Sequence, residues 1–233
     1  MNEKIIEVNN LSKSYGDHLV LNDISFSLPK GEIIGLFGPN GCGKSTLMKI
    51  LTGLIHDYKG SVLINGNAPG DKTKAVTAYL PEQTFIHDWM RNIDAIDYFN
   101  DFFKDFDKNK ALEMIKRFSL PEKQKCKTMS KGMQEKLLLS LTMARAAELY
   151  ILDEPMGGVD PATRDYILDT ILTNFNEDAS VIISTHLISD VERILDEVIF
   201  IDGGKIILTA DTDELRNNEG GSVDEIFRRM FKC

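Results

Sequence analysis

Gly38-Pro39-Asn40-Gly41-Cys42-Gly43-Lys44-Ser45 sets three glycines ahead of a lysine and a hydroxyl, the spacing of a phosphate-binding loop. Glycines let successive backbone N–H groups turn into one concavity, and a helix running on from Thr46 aims its positive end at the same point. Polyphosphate is the ligand that suits such a cradle. Lys44 would neutralise its β- and γ-phosphates, and the Ser45 hydroxyl would take a magnesium ligand position. Cys42 sits within the turn, close to a helix N-terminus and to Lys44. Both favour a thiolate, so a reactive thiol is expected there, more reactive than Cys126 and shielded by bound Mg-nucleotide.

Polar groups also follow three apolar runs. Asp153-Glu154 comes directly after 149–152, Thr185-His186 after 181–184, and Pro81-Glu82-Gln83 after 77–80. In a parallel α/β sheet, ligands sit beyond the carboxyl ends of the strands, so all three reach the edge that carries the phosphate loop. Asp153 suits a magnesium shell as a hard oxygen donor, and Glu154 is free to polarise an attacking water. His186 is placed to hydrogen-bond a γ-phosphate and report its presence. Gln83 can ligate magnesium or orient water through its amide oxygen.

These residues need a scaffold, and the hydrophobic pattern supplies one. β-rich runs at 5–8, 19–28, 33–37 and 61–64 precede the uniformly apolar runs just named, which read as strands buried on both faces. Runs 198–201 and 205–208 flank Asp202-Gly203-Gly204 as a hairpin. Between 85 and 146 the period shifts towards 3.6, and Ile93, Ile96, Phe99, Phe103 and Phe106 mark one helical stripe. The Phe and Met richness of that insert is most simply core packing, with a partner-binding groove as the alternative. An amphipathic segment at 223–231 suits docking.

The chain has 233 residues, 42% of them hydrophobic, enough for a substantial core. Its formal charge of -9 argues against a broad nucleic-acid footprint. Cys42, Cys126 and Cys233 are scattered, which suggests neither a disulfide framework nor paired metal ligands and fits a reducing compartment. No run approaches the ~18 apolar residues of a membrane helix, so service to a membrane would run through a partner.

Taken in order, these motifs resemble the ATP-binding cassette family, specifically its transporter nucleotide-binding subunits, over nearly the whole chain. Tyr15, in Leu-Ser-Lys-Ser-Tyr-Gly, resembles the adenine-stacking aromatic, and Gln83 the Q-loop. Met129-Ser130-Lys131-Gly132-Met133-Gln134 resembles the signature, Asp153-Glu154 the end of Walker B, Asp160 the D-loop acid and His186 the switch histidine. Lys131 and Met133 depart from the common Leu-Ser-Gly-Gly-Gln, yet Ser130 and Gly132 keep a hydroxyl and open N–H groups at a helix N-terminus. The D-loop, here Gly157-Gly158-Val159-Asp160, keeps Asp160.

The resemblance implies an α/β fold, a P-loop NTPase mixed-sheet core with an antiparallel β subdomain and an inserted helical subdomain. It implies one ATPase domain over 1–233: core and β subdomain at 1–84 and 147–210, helical signature subdomain at 85–146, short tail at 211–233. It further implies ATP and Mg2+ as ligands and a homodimer, or a heterodimer with another ATP-binding subunit, in which Ser130, Gly132 and Asp160 of one subunit meet the ATP of the other. An integral membrane permease would be driven from the cytoplasmic face, with drugs, peptides or antibiotics as the implied cargo class for export. The alternative class is a soluble cassette ATPase acting in translation or on DNA. A small-molecule P-loop kinase would leave the signature and His186 without a reason.

Overall fold

The computed structural model describes residues 3–175 and 178–231, without the side chain of Ala162; Cys233 lies outside the described residues. In chain order the strands are β1 (Lys4–Tyr15), β2 (His18–Pro29), β3 (Ile33–Phe37), β4 (Lys59–Ile64), β5 (Thr77–Leu80), β6 (Leu149–Asp153), β7 (Ser180–Ser184), β8 (Glu197–Asp202) and β9 (Lys205–Asp211). The helices are α1 (Lys44–Leu51), α2 (Asp71–Val76), α3 (Asn92–Phe102), α4 (Lys108–Arg117), α5 (Lys131–Met143), α6 (Pro161–Asn174), α7 (Ile188–Val191), α8 (Thr212–Glu219) and α9 (Val223–Phe231). A three-stranded antiparallel sheet has the order β2-β1-β4, and a six-stranded sheet the order β5-β6-β7-β3-β8-β9. The larger sheet is parallel from β5 to β8, and β9 joins its edge antiparallel. Gly203 and Gly204 both have positive φ in the β8–β9 turn, the requirement of a tight hairpin whose twist matches its strands.

Strand periodicity divides the core in two. Along β3, Ile33 and Phe37 face a cluster shared with the helices, while Ile34 and Leu36 face the antiparallel sheet and α1. Along β6, Tyr150 and Leu152 point to the first cluster and Leu149 and Ile151 to the second. Each such side chain contributes about 1.5–3 kcal/mol by leaving water, which is why strands this short stay fixed. Their carboxyl ends are therefore rigid mounts.

The 85–146 stretch holds α3, α4 and α5, but the aromatic stripe is not one helix. Helix α3 ends at Phe102, and Phe103 is extended. Arg145, 4% exposed, supplies the reason. Its Nε donates to Asp105 at 3.1 Å, its Nη groups donate to the Thr77 and Ala75 carbonyls at 2.7 and 2.8 Å, and its guanidinium lies 4.1 Å from the Phe103 ring centroid. Residues 103–106 are drawn out of the helix to meet this buried cation. Phe103 and Phe106 still pack on Phe99, with centroids 5.3 and 5.7 Å away, so the apolar contacts survive without the helical path.

Candidate functional site

β3 runs into the glycine loop and the loop into α1. Gly38 passes so close to β8 that a Cβ there would stand 2.0 Å from the Ile201 carbonyl. Gly43, the residue before α1, has φ 110°, a left-handed conformation that a side chain disfavours. The Lys44 ammonium folds across the loop and donates to the Gly38 and Pro39 carbonyls at 2.7 and 3.1 Å. The cation thus stands over the concavity that it would share with a phosphate.

β6 and β7 are neighbours in register, Asp153 beside Ser184. Asp153 is 3% exposed, and its Oδ1 accepts from Ser184 Oγ at 2.6 Å. Glu154 has φ 53°, uncommon for a residue with a side chain, and its N–H donates to the Ser184 carbonyl at 3.0 Å. That bend turns the Glu154 carboxylate to His186, whose Nδ1 lies 2.9 Å from Oε2. With a carboxylate as acceptor, Nδ1 carries the proton and Nε2 remains available to a ligand.

A cavity of about 530 Å³ collects Asn40, Gly41, Gly43, Lys44, Ser45 and Thr46 together with Asp153, Glu154 and His186. It is also lined by Val20, Glu82, Lys131, Glu135 and Gly157, which the sequence reading had not singled out as lining residues. Glu82 had a signal, standing beside Gln83 at a strand end, and Gly157 had one in the D-loop segment after β6; Val20, Lys131 and Glu135 depend on how β2 and α5 pack. Gln83 itself lines a second, more apolar cavity of about 740 Å³ that shares Ser45, Glu82 and Asp153 with the first. Tyr15, on β1, and Ser130, Gly132 and Asp160 are not among the residues lining the first cavity. Ser130 and Asp160 cap helices instead. Ser130 Oγ accepts from Met133 N–H at 3.3 Å before α5, and Asp160 Oδ1 from Thr163 N–H at 3.1 Å before α6.

The reactive thiolate expected at Cys42 is not what the fold provides. Cys42 is 5% exposed and packs in the cluster between the sheets. Burial pushes its thiol pKa up, and Lys44, 3.9 Å away, only partly opposes that. Cys126 is buried too, and burial raises its thiol in the same sense.

No group of three or more His, Cys, Asp or Glu side chains suited to holding a metal occurs among the described residues. The Ser45 hydroxyl and the Asp153 carboxylate are nevertheless hard oxygen donors on one cavity. Mg2+ suits that sparse set, because it keeps several waters and binds through one or two protein oxygens plus phosphates.

A glycine cradle between a buried strand and a helix, with a lysine at its mouth and strand-end acids beside it, defines a P-loop nucleoside-triphosphatase. The ABC transporter family description matches residues 21–157, and the chain belongs to this family as one of its ATP-binding, ATP-hydrolysing subunits. Among relatives, the ABC transporter ATP-binding protein YtrB of Bacillus subtilis is 32% identical over 215 residues, 91% of this chain and 74% of that protein. The lantibiotic transport ATP-binding protein SrtF of Streptococcus pyogenes is 32% identical over 231 residues, 97% of each chain. The SkfA peptide export ATP-binding protein SkfE of B. subtilis is 33% identical over 211 residues, 88% of each. A solved ATP-binding subunit of an ABC transporter superposes with TM-score 0.87 at 26% identity, covering 97% of this chain and 99% of that one. No helix among the described residues is long and apolar enough to cross a membrane.

Proposed function

We propose that this subunit powers an exporter of peptide-like or antibiotic cargo, bound to an integral membrane permease at the cytoplasmic face of the cell membrane. The cargo class rests on relatives such as SrtF and SkfE, whose names assign lantibiotic transport and peptide export to them. Residues 1–233 act as one ATPase domain, with the core at 1–84 and 147–210, the signature unit at 85–146 and the tail at 211–233. Two subunits close head to tail on two ATP molecules. Lys44 and the loop N–H groups from Gly38 to Thr46 hold the phosphates, and Tyr15 stacks on adenine. Ser130 and Gly132, with Asp160, complete the site from the partner; the Ser130 hydroxyl keeps its proton to donate while its oxygen caps α5.

Ser45 and Asp153 would hold Mg2+, with Gln83 at its edge; the ion supplies charge neutralisation on the β- and γ-phosphates. Glu154 takes a proton from water as the water oxygen bonds to the γ-phosphorus and the bond to the ADP oxygen breaks. His186 holds the Glu154 carboxylate through Nδ1 and, as the imidazolium, donates from Nε2 to the γ-phosphate, whose oxygens accept. Loss of that phosphate removes a contact common to both subunits, so the dimer opens and the permease moves.

The observation that carries this reading is the Glu154–His186 contact at 2.9 Å on the cavity that also holds Lys44 and Ser45. Glu154→Gln keeps the shape and removes the base, so ATP turnover should fall about 100-fold or more while ATP binding persists. Gel filtration with ATP should then show a stable dimer. Hydrolysis at the wild-type rate by this variant would remove Glu154 from the reaction.

A further inference from the structure

Lys13 is 6% exposed, an unusual place for a lysine, since a buried ammonium needs compensation for its lost hydration. Its Nζ donates to Asp57 Oδ2 at 3.1 Å, but the Asp57 side chain is fully exposed. An acid that water can solvate so freely offsets little of that cost. The ammonium also stands over the Tyr15 ring, whose centroid lies 4.8 Å away. Register shifts on both sides of Lys13 mark a local irregularity in β1, and such bulges re-aim side chains.

The position is informative. Lys13 pairs with Leu21 of β2, and a Cβ on Gly43 would come within 2.6 Å of that leucine's side chain. Val20, the next residue back along β2, lines the phosphate cavity. Lys13 therefore lies on the strand paired with the one that walls the nucleotide site, its ammonium against a tyrosine that is 51% exposed. A cation over one face of an aromatic ring is attracted to its negative quadrupole, and it holds the ring in one orientation. It also withdraws electron density from the ring, which improves the opposite face as a stacking partner for a purine. A ring already fixed loses less rotamer freedom when the base arrives.

We propose that Lys13 is a positioning residue for the nucleobase: its ammonium seats one face of the Tyr15 ring so that the other face is presented to adenine. This rests on the reading of Tyr15 as the adenine-stacking residue, and the experiment separates the two. Lys13→Met removes the charge and keeps the length; Lys13→Gln, which retains a polar tip, is measured beside it in case the methionine variant does not fold. KM and kcat for ATP are determined on the full chain, with calorimetric binding of ATP and of inorganic tripolyphosphate, which has no base to stack.

The expected result is a KM and Kd for ATP raised about 3- to 10-fold, because a ring no longer held by the cation must be ordered when the base arrives. kcat and tripolyphosphate affinity should stay within about twofold, Lys13→Arg should restore ATP affinity, and Asp57→Asn should leave it unchanged. Equal losses for ATP and tripolyphosphate would overturn the proposal and make Lys13 a pin of the β-sheet. So would an effect reproduced by Asp57→Asn, or unchanged ATP affinity in the Lys13 variants alongside weakened affinity in Tyr15→Leu; that last outcome would leave the Tyr15 reading intact. Unchanged ATP affinity in Tyr15→Leu would end both.

Discussion

Cys42 belongs to the phosphate-loop motif, but its side chain packs into the apolar cluster between the sheets. The helix terminus and Lys44 both favour its thiolate, yet the apolar cluster that receives the side chain outweighs them and raises the thiol pKa. Maleimide should therefore label Cys42 in the native chain at least about 10-fold more slowly than in the urea-unfolded chain, by peptide mass mapping, because the burial must first open. Labelling at the unfolded rate would contradict the packing. Cys42→Ser should cost about 1–2 kcal/mol of stability, since a hydroxyl is buried among apolar groups, while ATP affinity changes little. That Lys44, Ser45, Asp153 and Glu154 meet on one cavity was legible in sequence, because contiguous letters set their spacing after strand ends. Cys42 was not, because which wall of a turn a side chain faces depends on the sheet behind it. Lys131 and Glu135 reach the cavity through the packing of α5, a relation no local spacing encodes.

At the scale of elements, the strands are readable wherever burial on both faces leaves a short apolar run. Helix α3 stops at Phe102 although the aromatic period continues, because the backbone turns aside to Arg145. The far end of the larger sheet carries a tension of its own. Glu197 begins β8, and burial first, then Glu32 and Asp211, push its carboxyl up from the ordinary 4.5 to about 6. A raised acid binds its proton more tightly in the folded than in the unfolded chain. This group's contribution is therefore most favourable below pH 4.5 and is lost as pH rises through about 6. Glu197→Gln abolishes the charged form, so it should add about 1–2 kcal/mol of unfolding free energy at pH 8 and nothing near pH 4, measured by urea titration at both. A gain that is the same at both pH values would mean that the effect is packing and not charge.

For the whole molecule, Arg145 is the pin between the helical insert and the core: it holds Asp105 on one side and, on the other, the carbonyls of Ala75 in α2 and Thr77 at the start of β5. Arg145→Met should cost about 3 kcal/mol or more, because it leaves a carboxylate and two carbonyls without their donor. Urea unfolding would show this as a lower midpoint, and an unchanged midpoint would contradict the pin. The order of the larger sheet has a further consequence, for how this chain is made. β3 lies between β7 and β8, so the strand that carries the phosphate loop leaves the ribosome early and its two neighbours leave late. At about 5–20 residues per second, translation from Phe37 to Asp202 takes roughly 10–30 s. Until β7 is made, which takes most of that interval, the nascent chain displays the complete loop sequence with neither sheet neighbour of β3 beside it. The close approach of Gly38 to the Ile201 carbonyl cannot form until β8 is made, so the cradle that would hold nucleotide is completed only late in synthesis.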